Sequence, residues 1–289
     1  IKMITSSLCG AQVNEMSGKK GEDKYLPHLM GHEGYGEVVE IGEGVTTVDV
    51  GDHVILHWRP GRGINTFGTK YKSVGHDAIG AGPVTTFAEY TIISENRCSP
   101  IEPDEPIASA LPLMGCAVST AYGAVVKEAK VQGDQNVLIY GAGGLGMALL
   151  FWCKLFKIEN VTVVDIHEGK RSQIEEFDGT FMDASEPLME RKYDVIFETS
   201  GVVQNVEASL RVANKSAKII LIGQTKLNAA VTFDNFLHFY DEISMIASAG
   251  GHFDPDEDLD TIYSLCKQNV HLFNRLVSHS ISLDQVNEG

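Results

Sequence analysis

The sequence predicts an α/β protein in which a domain built on a doubly wound parallel sheet is joined to a second, mainly β domain. Its 289 residues exceed the usual length of one domain. Short β-runs separated by Gly and Pro dominate the first hundred residues, whereas compact apolar strands alternate with helix-length segments from about Val118. With 43% hydrophobic and 21% charged residues, both domains can form packed cores.

The first domain is expected to cover residues 1–117. Its β-runs lie at residues 34–41, 53–58 and 86–93, and Gly, Pro and polar residues between them indicate long loops. The pattern is typical of an all-β lobe.

The second domain is expected to cover residues 118–250. Its apolar strands lie at residues 136–140, 160–164, 194–197 and 218–222. Continuous apolar strands spaced by helices indicate a parallel sheet that is buried on both faces. Residues 254–267 follow as a helix whose acidic residues lie at its electropositive N-terminus.

Charge and composition exclude several classes of partner. A formal charge of −16 repels nucleic acid and anionic membranes. No apolar run approaches the roughly 20 residues of a membrane span, and no export signal is visible at the start, so we expect a cytoplasmic protein. Five cysteines without framework spacing favour reduced thiols over disulfides.

Both ends of the sequence read as clipped. The chain opens directly in a β-rich run without an initial Met, and it stops soon after an S-x-x-Q capping box at residues 282–285. We therefore expect that further residues, above all at the C-terminus, belong to the protein.

A glycine loop follows the strand at residues 136–140 and reads Gly141-Ala142-Gly143-Gly144-Leu145-Gly146. Gly141 permits a tight turn, Gly143 lets backbone N–H groups approach a pyrophosphate, and Gly146 permits close packing of helix on strand. Asp165 ends the next strand, 24 residues after Gly141. This order is the fingerprint of a Rossmann dinucleotide site. Because the Asp165 carboxylate accepts ribose hydroxyls and repels a 2′-phosphate, NAD is favoured over NADP.

Three candidate metal ligands are spread along the first domain. They are Cys9, His32 in Gly31-His32-Glu33-Gly34, and Cys116 in Gly115-Cys116-Ala117-Val118-Ser119-Thr120-Ala121-Tyr122-Gly123. Together with their flanking residues they resemble the zinc-dependent medium-chain alcohol dehydrogenases, which hold a catalytic zinc ion with a Cys, the His of a G-H-E segment and the Cys of a G-C-x-x-S-T-x-Y-G segment. The resemblance runs over nearly the whole chain.

The resemblance implies a GroES-like catalytic domain at residues 1–117, to which residues 251–289 return. Cys9, His32 and Cys116 would be the zinc ligands, with Glu33 as an acid beside the metal. Two thiolates and a neutral imidazole balance Zn²⁺ and leave a fourth position for substrate. The family pattern further implies cofactor contacts and one aromatic wall of the substrate pocket; these residues are Thr120, Leu145, Lys170 and Gly223 for the cofactor and Trp58 for the wall. Relatives are homodimers or homotetramers.

Two departures from the family pattern limit the resemblance. Residues 59–71 contain no Cys where many relatives hold a second, structural zinc ion, so one catalytic zinc ion and no structural zinc are expected. Ala11 stands where relatives usually have a Ser or Thr that relays a proton, and the route of the proton stays open.

We therefore expect an NAD-dependent zinc enzyme that interconverts a small primary or secondary alcohol and its carbonyl. Trp58 with His57, Arg59 and Arg62 beside it suits a polar alcohol, whereas Trp58 alone suits an aryl alcohol. A sugar or polyol dehydrogenase of the same superfamily is an alternative. A zinc-free, NADPH-dependent enone or quinone reductase and a non-catalytic cofactor-binding protein are further alternatives.

Overall fold

The chain divides into two units. The structure, a computed structural model, describes residues 1–188, 192–233 and 240–289. Unit 1 consists of Ile1–Ser119 and Phe253–Gly289, and unit 2 consists of Thr120–His252.

The strands alternate with loops and helices along both units. They are β1 Lys2–Ser6, β2 Gly34–Glu37, β3 His53–Leu56, β4 Lys70–Ser73, β5 His76–Gly80, β6 Cys98–Ile101, β7 Asn136–Tyr140, β8 Asn160–Asp165, β9 Thr180–Asp183, β10 Tyr193–Glu198, β11 Ala213–Leu221 and β12 Ser244–Ala247. The helices are α1 Gly10–Met16, α2 Ala117–Gly123, α3 Gly144–Leu155, α4 Arg171–Glu176, α5 Val203–Val212, α6 Pro255–Gln268 and α7 Val270–Asn274.

Short helical turns complete the described elements. The 3₁₀ turns are Glu95–Arg97, Glu105–Ile107, Leu111–Gly115, Glu168–Lys170 and Leu283–Gln285, and a π-helix covers Ala124–Ala129. Among the described residues, no helix has both the length and the apolar character needed to cross a bilayer.

Unit 1 contains a four-stranded antiparallel sheet in the order β1-β2-β3-β6. One of its faces packs into a small core around Val54 and Leu56. The prediction of a continuous strand at residues 86–93 is wrong. Only an isolated bridge from Lys2 to Tyr90 and single backbone hydrogen bonds join this segment to β1. The hairpin of β4 and β5 was not predicted.

Helix α1 interrupts the lobe that the sequence predicts to be all-β. It begins directly after Cys9, whose backbone N–H donates to the Gln12 side-chain oxygen at 2.8 Å. This contact caps the first turn, so that a seven-residue helix forms where hydrophobic periodicity is too short to reveal one.

Unit 2 contains a six-stranded parallel sheet in the order β12-β11-β10-β7-β8-β9. The strand order reverses between β7 and β10, which is the switch point at which doubly wound sheets bind ligands. The predicted fold class is confirmed: the chain combines this doubly wound, Rossmann-type parallel sheet with a mainly β unit. The outer strands β9 and β12, four residues each, were not predicted.

The acidic run after Gly251 begins helix α6, as predicted from its charges. Asp254 is the N-cap and accepts a hydrogen bond from the Asp256 backbone N–H at 3.0 Å. Asp256, Glu257 and Asp258 occupy the first turn. Their negative charge opposes the positive end of the helix dipole, so the run stabilises the helix locally.

Glu95 joins separate loops of unit 1 through a buried carboxylate that is 5% exposed. Its Oε1 accepts from the backbone N–H groups of Thr46 and Thr47 at 2.7 and 2.9 Å, and its Oε2 accepts from Ile64 N–H at 2.6 Å. Burial works to raise the pKa of Glu95, but these hydrogen bonds outweigh it and lower the pKa to about 2.

We expect Glu95→Gln to lower the free energy of unfolding by about 2 to 4 kcal/mol, because an amide cannot accept on both sides. Since the folded pKa is depressed, the stabilisation from Glu95 is present above about pH 4.5 and is lost as the pH falls toward about 2. Denaturant titrations of both proteins across this range check the result. Glu43→Gln, at an exposed position of unit 1, is the control. Equal stability of the Glu95 variant and the parent at neutral pH would contradict the role.

Candidate metal centre and nucleotide loop

The sheet of unit 1 brings the predicted metal ligands together. In the register of β1 and β2, Ser6 pairs with Gly34. Cys9 follows the end of β1 and His32 precedes the start of β2, so both lie beyond the same end of the sheet. Cys116 follows the 3₁₀ turn Leu111–Gly115, which packs on β2 and β3.

One ligand atom from each of Cys9, His32, Glu33 and Cys116 lies within 4.8 Å of the other three. Cys9, His32 and Cys116 are partly exposed, whereas Glu33 is 1% exposed. Three segments far apart in sequence therefore supply two thiols, an imidazole and a carboxylate to one small volume.

The thiols of Cys9 and Cys116 have pKa values that are shifted in opposite directions. The hydrogen bond from Cys116, with a smaller contribution from His32, lowers the pKa of Cys9 to about 4 against the opposing effect of burial. The same thiol contact raises the pKa of Cys116 well above its ordinary value, and burial adds to this. Cys9 is thus the thiolate of the pair at neutral pH.

Glu33 is an acid that its surroundings leave incompletely satisfied. Burial raises its pKa well above the ordinary value, and the charge of Cys9 raises it further. Its Oε2 is buried and has no hydrogen-bond partner among the residues that the structure describes. A cation beside these groups would relieve the repulsion and supply a partner for this oxygen.

Gln12 connects two of the candidate ligands and was missed in the sequence. Its Oε1 accepts from Cys9 N–H at 2.8 Å, and its Nε2 lies 2.7 Å from His32 Nδ1. Gln12 is 5% exposed. The spacing of an amide three residues after a candidate ligand is the signal that could have identified it, because metal-bound imidazoles usually bond a polar group through their second nitrogen.

The donor set fits zinc. Sulfur and nitrogen ligands in a group of three are typical of a catalytic zinc site, which keeps its fourth position for substrate. The carboxylate of Glu33 adds a fourth donor within reach. All five cysteines are unpaired in the described chain, and Cys98, Cys153 and Cys266 are buried away from this cluster.

A second group of possible ligands in unit 1 consists of Glu15, Asp23 and His28. His28 Nε2 lies 2.6 Å from Asp23 Oδ2 and 3.8 Å from Glu15 Oε1. The hydrogen bond to the Leu29 carbonyl raises the pKa of His28, and Asp23 raises it further. His28 and Asp23 therefore already satisfy each other through a direct hydrogen bond in the region before His32.

The structure places Trp58 just after β3, with the Arg59 guanidinium 5.7 Å from its ring centroid. His57 is not a neighbouring cation, because burial lowers its pKa to about 4 and it bridges the Arg59 carbonyl and Ser99 Oγ. A cavity of about 650 Å³ in unit 1 is lined by Gln12, His32 and the β4–β5 hairpin. Trp58 does not line this cavity.

The glycine loop joins β7 to α3 in unit 2. Gly141 has φ +94°, which favours glycine, and a Cβ at Gly146 would overlap the Gly141 carbonyl oxygen. Gly143 is the N-cap of α3, and Gly144 and Leu145 begin the helix. The loop therefore presents the N-terminus of a twelve-residue helix at the carboxyl end of β7.

Asp165 ends β8 and is tied to the glycine loop. Its Oδ2 accepts from Ala142 N–H at 2.7 Å, and its Oδ1 accepts from His167 N–H at 2.9 Å. The candidate ribose acceptor and the candidate phosphate loop are thus brought together and held in one arrangement.

The remaining predicted cofactor residues lie at different places in unit 2. Thr120 is buried in α2, Lys170 ends the turn after Asp165, and Gly223 follows β11 with its N–H bonded to the Glu198 carbonyl at 2.8 Å. Among the described residues predicted to bind the cofactor, the glycine loop and Asp165 are the pair joined by a direct hydrogen bond.

Glu198 at the end of β10 was not predicted. It is fully buried, and its Oε1 accepts from the N–H groups of Ser200 and Gly201 at 3.0 Å each. Burial raises the pKa of Glu198, while these hydrogen bonds oppose the rise. The carboxylate shapes the turn that follows β10, on the opposite side of the switch point from the glycine loop.

A cavity of about 340 Å³ adjoins the carboxyl ends of β7 and β8. Its lining includes Tyr140 and Val164, the residues directly before Gly141 and Asp165, together with Asn205 and Arg211 of α5. The Tyr140 hydroxyl is buried and has no hydrogen-bond partner in the described part of the chain. The cavity is thus lined by both apolar and polar side chains.

Both units of the chain contain segments that match known protein families. The family described as alcohol dehydrogenase GroES-like domain matches residues 1–103, and the family described as zinc-binding dehydrogenase matches residues 144–268. The chain is 25% identical to alcohol dehydrogenase 6 of Peromyscus maniculatus, with 100% of this chain and 85% of that protein covered. It is 28% identical to S-(hydroxymethyl)glutathione dehydrogenase of Aspergillus oryzae, with 80% of this chain and 70% of that protein covered.

Among solved structures, the fold is similar to benzyl alcohol dehydrogenase from Acinetobacter calcoaceticus. The TM-score is 0.87 at 23% sequence identity, and the match covers 99% of this chain and 86% of the other.

We expect Cys9 to be the thiol that reacts fastest with iodoacetamide at about pH 6 after treatment with a chelator, because it is the thiolate of its pair. Cys98 and Cys153 serve as internal controls, since burial raises the pKa of each to about 12. Mass spectrometry of timed digests measures each rate, and added zinc should protect Cys9. Alkylation of Cys9 no faster than that of Cys98 would contradict the charge distribution.

Proposed function

Because the chain belongs to the zinc-dependent medium-chain alcohol dehydrogenase family, we propose that it is an NAD-dependent alcohol dehydrogenase with one catalytic zinc ion. The reaction is the interconversion of a small primary or secondary alcohol and its aldehyde or ketone. The observation that carries the proposal is the convergence of Cys9, His32 and Cys116 beside the buried Glu33.

In unit 1, Cys9, His32 and Cys116 would hold the zinc ion. When bound, zinc polarises the alcohol oxygen or the carbonyl oxygen of the substrate as a Lewis acid. Cys9 needs no base to become a ligand because its pKa is already low. Glu33 lies close to the ligands, where its unpartnered oxygen would be available to the cation as a further donor. Gln12 orients the His32 ring through Nδ1.

In unit 2, the glycine loop binds the pyrophosphate of NAD through backbone N–H groups and the N-terminus of α3. Asp165 accepts hydrogen bonds from the adenosine ribose. The cavity lined by Tyr140 and Val164 would receive the base attached to that ribose. Thr120, Lys170 and Gly223 are further proposed contacts. NAD held by these residues would supply the hydride acceptor for oxidation of an alcohol.

The proton of the alcohol has no hydroxyl relay at Ala11, so it leaves through water or a substrate hydroxyl. We propose that Trp58 contributes an aromatic wall for the substrate. Reduced thiols at the zinc site suit the cytoplasm. The outer strand β12 of the parallel sheet is the edge through which two copies would join in a homodimer or homotetramer.

We expect the protein to contain one zinc ion per chain and to form NADH from NAD with members of a panel of primary, secondary and aryl alcohols and polyols. His32→Ala should lose the zinc ion and lower turnover by about 100-fold or more, because a ligand contributes at least as much as its supporting groups. Metal analysis and NADH absorbance measure both. His76→Ala, at an exposed position of unit 1, is the control. Protein with full activity after the loss of zinc would refute the proposal.

We expect Asp165→Asn to weaken NAD binding by about 10-fold, which corresponds to about 1.4 kcal/mol, and to narrow the preference for NAD over NADP. The amide can still accept from Ala142 N–H, but it no longer repels a 2′-phosphate. Fluorescence titration with both reduced cofactors measures the ratio. Asp183→Asn is the matched control, because Asp183 ends the neighbouring strand β9 and also accepts a backbone N–H. An unchanged ratio in Asp165→Asn would exclude this basis for selectivity.

A further inference from the structure

We propose that the side-chain amide of Gln12 reverses its orientation when zinc binds His32, so that metal loading breaks the hydrogen bond that caps helix α1. Gln12 would thus be a positioning residue that sets the zinc affinity of the site. This inference rests on the proposed function, since it assumes that His32 is a zinc ligand.

The hydrogen bonds of Gln12 fix which atoms donate and which accept. Its Oε1 accepts from Cys9 N–H at 2.8 Å, so its Nε2 is the atom that faces His32 Nδ1 at 2.7 Å. An amide nitrogen carries two hydrogens and only donates. His32 Nδ1 must therefore accept in this arrangement, and the proton of the neutral ring lies on Nε2.

Zinc requires the opposite tautomer. Because Nδ1 of His32 faces Gln12, Nε2 is the ring nitrogen left to bind a cation, and a neutral imidazole binds only through an unprotonated nitrogen. The ring proton must then lie on Nδ1. With the amide as it stands, the Nδ1–H group would point at the Gln12 NH₂ group, and two donors would face each other.

Rotation of the amide by half a turn resolves the conflict at His32 and moves it to Cys9. Oε1 then accepts from Nδ1–H, whereas the NH₂ group meets the backbone N–H of Cys9. This N–H belongs to Cys9, the N-cap residue of α1. Among the described residues, Gln12 is the one acceptor for it. Because Gln12 is 5% exposed, water has little access to replace the lost bond.

A carboxylate at position 12 would remove the conflict. Its two oxygens can accept from Cys9 N–H and from His32 Nδ1–H at the same time. A charged acceptor also strengthens the bond to the imidazole. The present glutamine therefore makes zinc binding weaker than the fold of the site allows.

We expect Gln12→Glu to bind zinc about 10-fold or more tightly than the parent protein, as measured by competition with a chromophoric chelator. Gln285→Glu is the matched control, because Gln285 occupies the same third position of a capping box, with Ser282 as its N-cap, and is not part of the metal cluster. Its zinc affinity should be unchanged. Zinc binding to Gln12→Glu that is equal to or weaker than that of the parent would overturn the inference.

Nuclear magnetic resonance of the parent protein labelled with ¹⁵N provides a readout that a purely structural role would not change. We expect His32 to carry its proton on Nε2 without metal and on Nδ1 with zinc, and we expect the Cys9 amide proton to lose protection from exchange on loading. A proton on Nδ1 in the metal-free protein, or a Cys9 amide that stays protected with zinc bound, would overturn this inference. Neither result would affect the proposed function. Failure of the parent protein to bind zinc would overturn the proposed function as well.

Discussion

The pairing of β1 with β2 is the constraint on which the metal cluster depends. Cys9 and His32 lie on loops that leave the same end of this antiparallel pair, where Ser6 is opposite Gly34. A slip of one residue would turn the side chains of the slipped strand to the other face of the sheet and move the two ligands apart. Cys116 completes the cluster because the turn before it packs on the same sheet. Backbone register, more than any single side chain, therefore determines that the ligands meet.

The metal cluster holds a low-pKa thiol and a buried carboxyl oxygen that the fold leaves without a partner. Cys9 is a thiolate at neutral pH, and Glu33 lies buried near it with one oxygen unpartnered. The nearby group of Glu15, Asp23 and His28 contrasts with this, because His28 and Asp23 are joined by a hydrogen bond of 2.6 Å. A cation would satisfy the unpartnered oxygen of the first group, whereas the second group already contains its own hydrogen bond, although both have ligand atoms within the same distance.

The sequence predicts the parts of the molecule that its local patterns determine. The glycine loop and Asp165 are recognisable because each directly follows an apolar strand, and the parallel sheet follows from those strands. Helix α1 and Gln12 are not recognisable, because a seven-residue helix shows too little periodicity and its cap is a side chain. The charge state of His57 is likewise invisible, since it depends on burial and on Ser99, which is distant in the sequence.

Because β7 lies in the centre of the sheet of unit 2, substitutions at the edge of the sheet lie far from the glycine loop. Strands β8 and β10 flank β7, and β11 and β12 lie beyond β10. Substitutions on β12 alter an edge of the sheet. Strands β11 and β10 lie between this edge and β7, which leads into the glycine loop. Such a sheet can gain or lose contacts with other molecules during evolution while the geometry that receives a phosphate group persists. Association and cofactor recognition can thus diverge independently in this fold.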